Sequence, residues 1–220
     1  MPAFSTGSIG GALTMADGGA VNERSWRREP KWVLARRCLR SAAPDAVWDW
    51  LLDATSLTRR LQLACGTRFH VRVLRQGWGR ALASERRVLG VKRGERVVIR
   101  EVRLMCGDQP WVFARTVIPV RSLRGAQRRL VFLGSRPLGA ALFADPHVRR
   151  GAVEVAQIVP GERLFDRAVG TTSNPEAIWG RRSVFWSRGK SLLVSEIFLP
   201  ALFGKDEFEL PAVSAAGMKR

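Results

Sequence analysis

Charged side chains stand inside apolar stretches of this chain, where charge is costly unless something answers it. In VVIREVRL (97–104), strand alternation sets Arg100 on one face with Val98, Val102 and Leu104, and turns Glu101 and Arg103 the other way. In LLVSEIFL (192–199), the same count sets Glu196 beside Leu192, Val194 and Phe198. Arg115, within WVFARTVI (111–118), shares a face with Trp111, Phe113 and Val117, but both faces of that run are apolar and its direction stays open. A guanidinium grips a carboxylate through its planar fork. A glutamate accepts a hydroxyl's hydrogen bond or a departing proton. An unpaired buried charge costs on the order of several kcal/mol. Two arrangements are therefore open: Arg100 and Glu196 neutralise each other in a core salt bridge, or they line a closed pocket for an aromatic or cyclic acid.

The elements that must carry these groups follow from local pattern. Pro44 suits a first helical turn, and Val47, Trp50, Leu51 and Ala54 follow at helical spacing. Thr55-Ser56 stops that helix and caps a second, which bears Leu57 and Leu61. RFHVRVLR (68–75) alternates as a half-exposed strand, and Gly77 and Gly79 bracket Trp78 in a turn. The runs 97–104 and 111–118 flank Cys106-Gly107-Asp108 as an antiparallel hairpin, and 183–187 with 191–199 form another across Arg188-Gly189-Lys190. A short helix fits 122–133, a further one begins near Leu138 after Pro137, and VEVAQI (153–158) reads as a strand. Residues 159–177 collect proline, glycine, threonine and asparagine, and are expected to form an exposed insertion. Hairpins with short connections give an α+β fold: a single domain with an antiparallel β-sheet and helices packed on it. Residues 1–30 and 204–220 are expected to be flexible tails around a domain spanning 31–203, and either Met1 or Met15 suits the start.

A chain of 220 residues, 46% of them hydrophobic, supports one good core. No apolar run approaches the roughly 20 residues that span a bilayer, and the first residues lack the pattern of a signal peptide. Cys38, Cys65 and Cys106 are odd in number and irregular in spacing, so a reducing cytoplasm and no disulfide framework are expected. His70 and His147 stand apart without clustering partners, which argues against a metal site. The net charge of +18 suits a polyanionic partner. Its arginines fall in scattered pairs, Arg149-Arg150 and Arg181-Arg182 among them, with no RNP-like aromatic strand. Specific nucleic-acid binding is not expected; attraction of a small anionic substrate is.

Several blocks, in order and spacing, together resemble the chorismate–pyruvate lyase family from about Asp49 to Pro200. They are WLLDATSLTRR (50–60), REVRLMCGDQPWVFARTVIPV (100–120), LGSRPLGAALF (133–143), IWGRRS (178–183) and LLVSEIFLPA (192–201). The resemblance implies a carbon–oxygen lyase without cofactor or metal. It would convert chorismate to 4-hydroxybenzoate and pyruvate, supplying the ubiquinone ring precursor, as a monomer in the cytoplasm. It also implies a buried pocket beneath helical flaps, with substrate contacts at Leu57, Arg100, Leu138 and Glu196. Arg100 and Glu196 would be the catalytic pair, and Arg115 would serve the enolpyruvyl carboxylate or ether oxygen. The chain departs from the family pattern at Leu57, where methionine is usual, and at Ala114, where a glycine would precede the arginine. The alternative is a non-catalytic domain of the same fold that senses small acids, as in some bacterial transcription regulators.

Overall fold

A computed structural model of the chain describes residues 28–123, 134–143, 145–170 and 175–204. Its strands are β1 (Val33–Leu34), β2 (Phe69–Arg80), β3 (Arg96–Cys106), β4 (Gln109–Pro119), β5 (Arg149–Arg150), β6 (Glu154–Ile158), β7 (Ile178–Ser187) and β8 (Lys190–Phe198). They build one antiparallel sheet in the order β1-β6-β7-β8-β4-β3-β2, with β5 also on β7. The helices are α1 (Asp45–Leu51), α2 (Leu57–Cys65), α3 (Ala83–Leu89), α4 (Leu138–Phe143) and α5 (Arg163–Val169). The α+β class and the antiparallel sheet are those expected from sequence.

The sheet's central registers fix what faces what. Arg100, Thr116, Val194 and Ser183 lie in one row across β3, β4, β8 and β7. Val102, Ala114, Glu196 and Arg181 form a second row on the same face. Between them, pointing to the other side, runs Glu101, Arg115, Ser195 and Arg182. The helix pair α1–α2 packs Trp48, Leu51, Leu57 and Leu61 over the first face, in one apolar cluster with Val102, Leu104 and Phe198. On the reverse face α5 packs Leu164, Phe165, Ala168 and Val169 against Phe113, Ile178 and Ile197. Burying large apolar side chains at about 25 cal/mol per Å² supplies the main driving force for both layers.

Four local expectations are corrected. Gly77 and Gly79 lie within β2 and pair with Ile99 and Val97, not in a turn; a Cβ on Gly79 would stand 2.5 Å from Ile99 Cδ1, so the residue is small for contact. The described part of 159–177 is not an exposed insertion, because α5 falls inside it and buries four side chains. Of the helix expected at 122–133, the structure has a short 3-10 turn at Val120–Leu123; the remainder lies outside the described residues. Cys65 and Cys106 form a disulfide, which joins the end of α2 to the end of β3. Pairing of Phe69 with Cys106 brings the chain leaving α2 alongside that strand end, a proximity that cysteine spacing does not reveal.

The tail expected over 1–30 is partly structured: Pro30 is buried, and Glu29 accepts the N–H groups of Ala83 and Ser84, capping α3. The rest of the two expected tails, residues 1–27 and 205–220, lies outside the described residues. No helix among the described residues is long and apolar enough to cross a membrane.

Candidate active site

Beneath the turn joining α1 to α2, and beneath Pro137 with the start of α4, the sheet's first face leaves a cavity of about 60 Å³. A single water centre needs about 10–15 Å³, so this is a true void rather than a packing defect. Its walls are apolar, including Leu57, Val71, Leu104, Leu138, Leu142 and Phe185. Its charged lining consists of Arg100, Arg150, Arg181 and Glu196.

Each charged group is held by a different device. Arg100 is 2% exposed, and its Nη1 donates to Gln76 Oε1 at 2.8 Å and to the Gly134 carbonyl at 2.8 Å. Its Nη2 donates to the Arg136 carbonyl at 3.1 Å. All three acceptors are neutral, and burial pulls this guanidinium below its ordinary pKa. Arg100 thus ties the β3 floor to the loop that leads into α4, and no carboxylate within the described residues neutralises it.

Glu196 does not pair with Arg100. Its Oε2 accepts from Arg181 Nε at 2.6 Å, across the β7–β8 register. Arg181 in turn donates through Nη1 to the carbonyls of Trp50, at 2.8 Å, and Asp53, at 2.6 Å. The Trp50 carbonyl lies in the last turn of α1, which leaves such groups without helical partners, and the Asp53 carbonyl lies just beyond it. One buried arginine therefore links the pocket carboxylate to the hinge of the α1–α2 flap. Within that hinge Asp53 Oδ1 accepts from the Thr55 N–H at 2.7 Å, and Arg60 meets Oδ2 at 3.0 Å.

The two flaps touch. A Cβ placed on Gly139 of α4 would lie 3.2 Å from Thr58 Oγ1 of α2, so the helices approach closely where Leu57 and Leu138 meet the cavity.

Leu57, Arg100, Leu138 and Glu196 thus converge on one chamber. Arg115 does not join them, which corrects its assignment. It projects to the reverse face, where Nε and Nη2 donate to Glu85 at 2.7 and 3.0 Å and Nη1 donates to Glu101 at 2.5 Å. The reason is a bulge. Met105 pairs with Pro110 but Leu104 pairs with Val112, so Trp111 is an extra residue in β4. One extra residue turns every later side chain over.

Arg150 and Arg181 were legible only as members of surface-like pairs. For Arg181 a signal existed: counting outward from the Arg188-Gly189 turn sets it opposite Glu196. For Arg150 there was none, since β5 is two residues long. Among the described residues no cluster of His, Cys, Asp and Glu has the arrangement of a metal site.

The chorismate lyase family matches the chain over residues 31–208. A probable chorismate pyruvate-lyase of Azoarcus sp. (strain BH72) is 49% identical over 185 residues, covering 82% of this chain and 93% of that one. Its counterpart in Methylococcus capsulatus is 43% identical over 160 residues, covering 72% and 98%. Among solved structures, a GntR-family transcriptional regulator from Bacillus cereus is similar at a TM-score of 0.47 and 14% identity, over 63% of this chain and 96% of that one. On the strength of the family match and these relatives, the chain belongs to the chorismate lyase family and is a lyase.

Proposed function

We propose that the chamber converts chorismate to 4-hydroxybenzoate and pyruvate, the step that supplies the ubiquinone ring, within the cytoplasm and as a single chain. One observation carries the reading: a cation and a carboxyl, unpaired with each other, face the same cavity under two flaps. Such a void suits a ring acid that must lose water contact to react in one conformation.

In the reaction, the bond from the ring to the enolpyruvyl oxygen breaks and the hydrogen on the hydroxyl-bearing carbon leaves. The ring becomes aromatic, and the proton is balanced at the methylene of the departing enolpyruvate, which becomes pyruvate. Aromatisation drives this without an electron carrier. Arg100 holds the ring carboxylate in its fork, and the walls at Leu57 and Leu138 fix the ring plane. Glu196 accepts a hydrogen bond from the ring hydroxyl and stands ready for the adjacent proton. Arg181 orients that carboxylate from behind as a positioning residue, so closure of the α1–α2 flap and alignment of Glu196 are one event.

The test is direct. Purified protein given chorismate without added metal should form 4-hydroxybenzoate and pyruvate in equal amounts; absence of both products ends the proposal. In a reducing cytoplasm Cys65 and Cys106 would be thiols, so the assay should be run with and without reductant.

A further inference from the structure

The chamber is under-neutralised, and two residues account for the excess. Its charged lining counts three guanidinium groups, Arg100, Arg150 and Arg181, against one carboxylate, Glu196, a net charge of +2. Glu196 is taken by Arg181. Arg100 is satisfied in part by neutral acceptors and remains a cation without a counter-ion among the described residues. Arg150 is in the same position at the opposite margin.

Arg150 enters from β5, beside Phe185 of β7. Its Nε donates to Ser183 Oγ at 3.1 Å, and its Nη1 reaches the Asp53 carbonyl at 3.3 Å, a long contact. Its Nη2 has no protein partner among the described residues, and no carboxylate lies within ion-pair distance of it there. Burial depresses its pKa, and the neighbouring Arg181 depresses it further, with Glu196 and Asp53 offsetting part of the effect. The fold thus places a second cation in the chamber without an ion-pair partner among the described residues. Arg115, the sequence-based candidate for a second carboxylate, is saturated on the other side of the sheet.

Strand order supplies the geometry. Arg100 on β3 and Arg150 on β5 are separated by β4, β8 and β7, a backbone distance of about 19 Å at roughly 4.8 Å per spacing. Glu196, on β8, lies between them. Both side chains line the same cavity, so each offers a guanidinium to a substituted ring lying between them.

We propose that Arg150 is the receptor for a second carboxylate, borne on the ether arm of the substrate, so that the chamber selects a diacid held end to end between Arg100 and Arg150. This rests on the function proposed above and adds to it. In that setting Arg150 holds the leaving group, and Ser183 and the Asp53 carbonyl aim its fork.

The test uses two unreactive compounds: 3-(carboxymethoxy)benzoate, with a ring carboxylate and a second one on a meta ether arm, and 3-methoxybenzoate, which lacks the second. Equilibrium titration of the whole protein should show the diacid binding at least about tenfold tighter, the scale of a hydrogen bond to a charged group. Arg150→Gln should bind both compounds alike while keeping the wild-type affinity for the monoacid. Arg150→Lys should regain part of the preference. With chorismate, Arg150→Gln should raise KM far more than it weakens binding of 4-hydroxybenzoate, which has one carboxylate.

A preference that survives in Arg150→Gln overturns the inference, as does an equal loss of monoacid and diacid binding. Equal wild-type affinity for the two compounds overturns it too. A wild-type diacid preference that depends on Arg150, without turnover of chorismate, would instead sink the proposed reaction and leave the diacid site standing.

Discussion

On the reverse face of the sheet, Arg115 meets Glu85 through two nitrogens and Glu101 through a third, with all three residues less than 5% exposed. On the pocket face, Arg100 meets an amide oxygen and two carbonyls, and Arg150 a hydroxyl and a distant carbonyl. The same residue type, on the same sheet, is finished by the protein in one place and left open in the other. Titration behaviour separates them: burial lowers the Arg115 pKa, but Glu85 and Glu101 more than reverse this and raise it, whereas Arg100 and Arg150 are lowered. Arg182, also on the reverse face, is intermediate; it binds Glu154 at 2.7 Å, yet burial still takes it down. A cation stabilised by its own acids contributes to the fold. One held in place by neutral dipoles is available to a ligand.

Breaking the reverse face should give the largest effect, and it should be structural. Glu85→Ala leaves the buried Arg115 with Glu101 as its one acid among the described residues and uncaps the Leu82 N–H; it is expected to cost about 3–5 kcal/mol, read as a lower urea midpoint at unchanged slope. The folded fraction should keep its wild-type KM for chorismate. A large KM change without loss of stability would erase the contrast between the faces.

Arg100→Gln tests the other side. Chorismate turnover measured as kcat/KM should fall about a hundred- to thousandfold, or about 3–4 kcal/mol of transition-state stabilisation. The unfolding free energy should fall by no more than about 1–3 kcal/mol, because neutral acceptors lose a donor but no acid loses a partner. Unfolding of the variant would place Arg100 with Arg115 as a fold residue.

Glu196→Gln sharpens the same comparison within the chamber. The shape is kept, and Arg181 retains its carbonyl acceptors at Trp50 and Asp53. A kcat loss of at least about a hundredfold is expected if the carboxylate moves the proton. Turnover near the wild-type rate would reduce Glu196 to a hydrogen-bond partner of the hydroxyl.

How much of this could be read from the chain depends on whether a pattern was local. Inward Arg100 and Glu196 follow from alternation over uninterrupted runs, and the β7–β8 hairpin follows from its Arg188-Gly189 turn, where both residues have positive φ as a tight two-residue connection requires. Alternation left the direction of Arg115 open, because both faces of its run are apolar, and its pocket role came with the resemblance; the bulge at Trp111, which has no sequence signature, sets it opposite Glu101. The helix α5 was legible in part: Leu164, Phe165, Ala168 and Val169 recur at helical spacing, but the surrounding glycines and prolines outweighed four residues. The N-cap of α3 is Leu82, whose N–H donates to Glu85 at 2.8 Å, without the usual Ser or Thr at the cap. Arg150 is set by a two-residue strand paired with β7, a contact between distant parts of the chain that no window covers.

The smallest effect concerns the hinge that joins the two faces' concerns, stability and closure. Burial raises the Asp53 carboxyl, but its hydrogen bonds from Thr55 and Arg60 outweigh this and hold it below the ordinary carboxylate value. Between that lowered value and the unfolded value near 3.9, the folded chain binds fewer protons than the unfolded one, so stability rises with pH there. The contribution is fully present above the unfolded pKa and lost as pH falls through the folded one. At neutral pH, therefore, the hinge is intact and its removal needs mutation rather than acid. Asp53→Asn keeps an acceptor for the Thr55 N–H while deleting the charge that meets Arg60, and should cost no more than about 1 kcal/mol. Because the Asp53 carbonyl also receives Arg181 and Arg150, loosening the turn should raise KM for chorismate by a few fold, about the same free energy, with kcat little changed. A fall in kcat equal to that of Glu196→Gln would show instead that the hinge governs the chemical step.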